Sequence, residues 1–184
     1  MEQSGFKMVR YADDFVVLCK SQESAERALS TIRAWVEENG LTLHPEKTRL
    51  GNCLIEGQGF EFLGYRFEAG RKQVRKKSLD KMKDKVRKIT RRSNGHSLTE
   101  IIAKLNRSLR GWFVYFKHAH HWTFERLDGW IRRRLRAILR KNEKRPGMGR
   151  TLDDHMRWPN EFFAKQGLFS LQEAWRPAVA SRSR

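Results

Sequence analysis

The sequence predicts an α+β chain in which a few short strands and one helix are followed by a three-helix bundle. Three observations carry that expectation. Short β-prone runs dominate the first 70 residues, and a 3.6-residue apolar period takes over from Ser78. Charge divides the same way: residues 1–70 carry a net −3, residues 71–145 a net +19 and residues 146–184 a net +2, within an overall +18. Hydrophobic residues make up 39% of the 184, with 6 Trp and 11 Phe, so the chain has the apolar surface to offset ordering entropy and is not a disordered basic tail.

The elements follow in order. Lys7–Tyr11 and Phe15–Cys19 are β-prone runs joined at Ala12-Asp13-Asp14, which predicts a hairpin with two carboxylates at its tip, held between buried strands. Ala25, Ala28, Leu29, Ile32, Trp35 and Val36 fall on one helical face, with Ser24 placed as the N-cap and Gly40 as the stop. Leu41-Thr42-Leu43 and Phe60–Phe67 read as further strands. Leu79, Met82, Val86 and Ile89 form the first bundle stripe, and the Arg92–His96 loop ends it. Ser97-Leu98-Thr99-Glu100 has capping-box spacing, ahead of a face of Leu98, Ile101, Ile102, Leu105, Leu109, Trp112, Phe113 and Phe116. A third helix begins near Thr123 and buries Leu127, Trp130, Ile131, Leu135, Ile138 and Leu139, with Arg132, Arg133, Arg136 and Arg140 expected outside that stripe. The expected divisions are 1–72, 73–145 and 146–184. The last segment is too apolar for a free linker, and a loose end is expected over 180–184.

No run reaches the roughly 18 apolar residues of a membrane span, and the N-terminal residues lack the layout of a secretory signal, so no membrane partner is expected and the cytoplasm is the default. Cys19 and Cys53 have neither disulfide-framework nor zinc spacing and read as small core residues. The basic middle would repel itself without a polyanion, and a phosphate backbone is the strongest one available. Nucleic acid is therefore the expected partner. Arg107, Arg110, Lys117, Arg132, Arg133 and Arg136 are the candidate phosphate contacts, and Tyr115 and Trp122, off the apolar stripe or in the loop, are the candidate base platforms. Trp112, Phe113 and Phe116 read as core. His118, His120 and His121 read as loop histidines near RNA rather than a zinc site, having no cysteine nearby and no i, i+4 pairing.

Adjacent carboxylates at a turn are a weak signal alone, because Asp is a favoured turn residue. As oxygen donors they suit magnesium, and two-metal phosphoryl transfer uses such groups. The pair is accompanied. Tyr11-Ala12-Asp13-Asp14-Phe15 resembles the Y-A-D-D box of reverse transcriptases. Gly40-Leu41-Thr42-Leu43-His44-Pro45-Glu46-Lys47-Thr48 resembles the next polymerase motif, and Phe60–Phe67 the primer-grip motif, in the family's order and spacing. Leu105–Phe116 is similar to the helical maturase, or thumb, domain of group II intron reverse transcriptases.

The resemblance implies a partial reverse-transcriptase palm followed by a maturase bundle. It implies that Asp13 and Asp14 are Mg²⁺ ligands and catalytic, and that Tyr11, Gly64 and Tyr65 lie near the primer end. Lys47 matches a lysine proposed to protonate the departing pyrophosphate, although an ordinary turn lysine after Pro-Glu fits that position too. The implied partners are group II intron RNA, an RNA template and a DNA primer. The family draws a further catalytic aspartate and its fingers from upstream. With 10 residues ahead of Tyr11, the chain is expected not to polymerise by itself, unless the N-terminal reverse-transcriptase half is supplied, and Mg²⁺ is expected only with the completed palm. A free-standing RNA-binding maturase piece, or a decayed gene product, are the alternatives; primer extension and intron-RNA binding separate them. The front half is expected to be less stable than the bundle, since an orphaned sheet edge exposes apolar surface.

Overall fold

The computed structural model describes residues 6–93 and 95–180. It is α+β, with helices and small sheets, and falls into two compact units: residues 1–63 with 67–70, and residues 64–66 with 71–184.

In the first unit, β1 (Lys7–Tyr11) and β2 (Asp14–Leu18) pair antiparallel, from Lys7 opposite Leu18 to Tyr11 opposite Asp14. The turn is two residues long, Ala12 and Asp13, so Asp14 opens β2 rather than sitting at the tip. Ala12 has φ of 54°, a left-handed conformation costly for a residue with a Cβ. The Arg10 Nε donates to the Ala12 carbonyl at 2.7 Å and steadies it. The strands are not buried as expected: every residue of β1 is exposed, and Met8, Val9, Tyr11, Phe15 and Leu18 are exposed hydrophobics.

Helix α1 (Gln22–Glu38) is capped by Ser21, whose Oγ accepts from the Ser24 amide at 3.2 Å. The cap lies three residues before the expected Ser24, which falls inside the first turn. Gly40 takes φ of 65° just past the C-cap Asn39. Its amide bonds the Glu37 carbonyl and that of Leu41 the Val36 carbonyl, the pair of bonds that closes a helix through a left-handed residue. Ala28 and Val36 are buried, whereas Trp35, expected on the apolar face, is 58% exposed. Leu41-Thr42-Leu43 forms no strand; residues 41–59 are irregular. Cys19 and Cys53 are free thiols of intermediate exposure, not core residues.

The expected single strand over 60–67 is broken. Strands β3 (Phe60–Phe62), β4 (Tyr65–Glu68) and β5 (Arg71–Val74) lie in the order β3-β4-β5. Leu63-Gly64 and Ala69-Gly70 turn the chain with left-handed φ at both central residues, the conformation that matches strand twist in two-residue hairpins. Strand β5, Arg-Lys-Gln-Val, has no β-rich composition and was not expected.

The second unit holds α2 (Lys76–Ile89), α3 (Leu98–Phe116), α4 (His121–Asn142), α5 (Leu152–Arg157), α6 (Asn160–Lys165) and α7 (Leu171–Ala180). The Ser97 capping box forms in both directions, its Oγ accepting from the Glu100 amide and the Glu100 carboxylate accepting from the Ser97 amide. Those contacts with Ser97, together with His96 and Lys104 nearby, hold the Glu100 carboxyl below the usual range. Met82, Val86, Ile101, Leu105, Leu109, Phe113, Phe116, Leu127, Ile131 and Leu135 make the core, joined by Phe124, which the periodicity missed. Helix α4 starts two residues before the expected Thr123, with His120 as N-cap. The C-terminal residues supply a second apolar layer through Trp158, Phe163 and Leu171, all buried.

Helix α4 is therefore covered on two sides, and its polar residues become internal ties. Asp128 accepts from the Ser170 hydroxyl and from the amides of Leu171 and Gln172, capping α7; burial pushes its carboxyl upward even so. Asn106 of α3 donates to the Gly167 carbonyl and accepts from the Phe169 amide. No helix among the described residues is long and apolar enough to cross a membrane. Of the expected loose end, 180–184, Ala180 closes α7, and residues 181–184 lie outside the described residues, as does Asn94 of the expected loop.

Candidate functional site

The hairpin brings Tyr11, Asp13 and Asp14 to one turn. All three are exposed, and among the described residues neither carboxylate has an ion pair or a side-chain hydrogen bond. The turn geometry explains the presentation: a two-residue loop leaves Asp13 no neighbour to bury it, and Asp14, first in its strand, stands beside it. Two hard oxygen donors free of competing cations suit a divalent ion of the magnesium type. Among the described residues, no cluster of three His, Cys, Asp or Glu gathers there or elsewhere. The turn thus fits part of a metal-binding donor set. Lys47 stands exposed in a separate turn of the same unit, its amide donating to the His44 carbonyl at 3.2 Å.

Gly64 and Tyr65 are placed differently. Tyr65 is buried, its hydroxyl donates to the Tyr115 carbonyl at 2.6 Å, and its ring stacks on Tyr115 and meets Phe116 edge-on. A Cβ at Gly64 would lie 3.3 Å from the Phe116 ring, with φ at 78°. The glycine is thus required by a turn and by close packing on α3.

Arg107, Arg110 and Tyr115 on α3 and Lys117 at its C-cap are exposed, with Arg110 over the Phe169 ring at 4.8 Å. Arg132 and Arg133 are half-buried. Arg133 is pushed below the usual guanidinium range by burial and then by Arg150, yet stays charged. Arg136 corrects the expectation outright. It is 2% exposed, its Nε donates to the Trp158 carbonyl at 2.9 Å and its Nη2 to Asn160 Oδ1 at 3.1 Å, over the Phe163 ring. It faces the C-terminal layer and not solvent. Arg140 likewise binds Asp154 at 2.6 Å and the Pro146 carbonyl. Burial pushes the Asp154 carboxyl up, but bonds from Arg140 and from the Thr151 hydroxyl and amide outweigh it and hold the group at about 2.

Trp122, in the first turn of α4, is 46% exposed. His120 and His121 lie against it, and burial, then the charges of His121 and Arg71, keep His120 below its ordinary value. Lys76, Lys77, Lys81, Lys85 and Lys88 form an exposed basic surface on α2 that the candidate set omitted. Its signal was present in the run of lysines between stripe positions.

Comparison with known families decides the assignment. Residues 79–158 match the group II intron, maturase-specific domain, and residues 1–67 match the reverse transcriptase (RNA-dependent DNA polymerase) domain. The chain belongs to the group II intron reverse transcriptases/maturases. No curated protein matches it significantly. The maturase match runs from α2 through α5 and so includes the capped α3 and the arginine-rich α4, while the reverse-transcriptase match takes in the aspartate hairpin, α1 and the Leu63-Gly64 turn. Both domains imply nucleic-acid binding, the maturase domain of intron RNA, and reverse transcriptases generally use Mg²⁺.

Proposed function

We propose that this maturase joins two tasks: its palm portion contributes Asp13 and Asp14 to an RNA-templated DNA polymerase centre, and its helical portion holds group II intron RNA. The observation that carries the first is the exposed aspartate pair, unpaired among the described residues, on a strained two-residue turn inside the reverse-transcriptase match. In this reading the palm portion runs to residue 72, the maturase domain to 145 and a C-terminal layer follows. Asp13 and Asp14 would hold Mg²⁺, which when bound activates the primer hydroxyl and offsets charge on the leaving oxygen. Two carboxylates do not complete such a site, so the remaining ligand comes from the upstream palm, in the same polypeptide or in trans.

Tyr11 borders the primer end, and Lys47 donates a proton to the departing pyrophosphate. Gly64 and Tyr65 act there through the shape of the Leu63-Gly64 turn, the Tyr65 hydroxyl being engaged with α3. For the RNA, Arg107 and Arg110 on α3, Lys117 at its C-cap and the α2 lysines contact phosphates, with Arg132 and Arg133 adding charge at shorter reach, and Tyr115 and Trp122 stack on unpaired bases.

Primer extension on an RNA template with Mg²⁺ tests the polymerase part, using the chain alone and with a fingers and upper-palm polypeptide added. Incorporation that falls at least about a hundredfold on Asp13→Ala supports it, since positioning is most of the catalysis in phosphoryl transfer. Absence of incorporation under both conditions overturns it.

A further inference from the structure

We infer that the groove beside Trp122 is a binding site for an unpaired guanine base of RNA. The inference rests on the proposed RNA-binding role of the helical unit and names what one part of it selects.

The indole of Trp122 is fixed in place without being buried. The Arg71 guanidinium lies over the ring, 4.9 Å from its centroid, and the rings of His120 and His121 meet it at 4.9 and 5.8 Å, close to perpendicular. His121 in turn packs against Trp175 at 5.5 Å. The His120 amide donates to the Lys72 carbonyl at 2.8 Å, tying the start of α4 to β5. A rigid, half-exposed indole loses little freedom when a base stacks on it.

One turn further along α4, Glu125 and Arg126 stand at i+3 and i+4 from Trp122, on the same helical face. The three residues line an open groove of about 430 Å³, a size that suits a nucleotide-sized ligand. Neither Glu125 nor Arg126 has an ion-pair partner among the described residues. A lone carboxylate on a cationic face works against phosphate binding, so its presence in the groove calls for a ligand that it attracts.

Guanine is the base with that chemistry. Its Watson–Crick edge carries two adjacent donors, the ring N1–H and the exocyclic amine, and a carboxylate accepts both at once. Adenine and cytosine set an acceptor beside their donor, and uracil flanks its single N–H with two carbonyls that a carboxylate repels. Stacked on Trp122, a guanine would turn this edge to Glu125, with Arg71 and Arg126 placed for the adjoining phosphates. RNA offers such splayed bases in loops and bulges.

The test uses the full chain and fluorescein-labelled short oligouridines that differ only in the central base, G, A, C or U, read by anisotropy at one salt concentration beside a structured group II intron RNA. The G oligomer is expected to bind about tenfold tighter than the other three, the low end of what a two-bond base contact discriminates. Glu125→Gln, a surface change that leaves the fold intact, should bring the G oligomer down to the level of the rest, and Trp122→Leu should weaken it further. Equal binding of all four, or preference for another base, while the intron RNA still binds, overturns guanine selection and leaves the RNA role standing. Loss of binding to the intron RNA as well overturns both.

Discussion

The aspartates of the β1–β2 turn and the arginines of α4 are both charged groups suited to binding a ligand, yet their surroundings are opposite. Asp13 and Asp14 stand exposed and, among the described residues, unpaired on a hairpin with no buried residue, whereas Arg136 and Arg140 are spent on carbonyls, Asn160 and Asp154 within their own unit. Charge density in a sequence therefore does not say which cations are free. What decides is how many faces of the helix are covered. Helix α4 is covered on two, so residues 135–138 are buried in an unbroken run and the arginine among them must be satisfied internally.

The contrast can be broken by substitution. Arg136→Ala is expected to cost about 3 kcal/mol, because it leaves the Trp158 carbonyl and Asn160 without a donor and opens a void beside Phe163. Urea unfolding followed by helical circular dichroism measures it, and a loss below about 1 kcal/mol would place Arg136 outside the core. Asp154 is next. Its folded-state value of about 2 lies below its ordinary 3.8, so its contribution is full above pH 4 and is lost as pH falls toward 2. About 2 kcal/mol should disappear across that window, and Asp154→Asn should remove this part of the acid sensitivity.

Ser97→Ala, which opens the capping box of α3, should cost about 1 kcal/mol on the same unfolding curve. At the other extreme, Asp13→Asn and Asp14→Asn should change stability by no more than about 0.5 kcal/mol, as befits carboxylates kept for a ligand. A larger change in either would mean that the turn depends on them structurally. Amide exchange sharpens the same contrast: residues 7–18 should exchange well before the middles of α3 and α4, whose amides lie against buried Leu105, Leu109, Ile131 and Leu135.

Much of this was legible beforehand, for identifiable reasons. The hairpin, α1, the capping box and the three long helices follow from local signals: turn residues, a 3.6-residue period and reciprocal capping spacing. What failed depended on partners distant in sequence. Trp35 carries the right period but is exposed, and Leu41–Leu43 has β-prone residues but, among the described residues, no strand to pair with. Strand β5 is highly charged and is defined by the Ala69-Gly70 turn before it rather than by its composition. The motif around Tyr65 points to a ligand, and only its hydroxyl's bond to the Tyr115 carbonyl, fifty residues on, shows that its side chain is engaged within the fold. For the candidate site, exposure separates Arg107, Arg110, Lys117 and Trp122 from Arg136, and no periodicity that assumes one buried face for α4 could have done so.

Affinity for group II intron RNA against salt concentration tests most directly whether the exposed cations of α2 and α3, and not the internal arginines of α4, hold the RNA. The wild-type chain should lose affinity steeply with salt, and replacing Arg107, Arg110 and Lys117 together by alanine should reduce the log–log slope by roughly 2, at about 0.7 to 0.9 per phosphate contact. A flat response in the wild type, or a slope unchanged by the triple substitution, would contradict it.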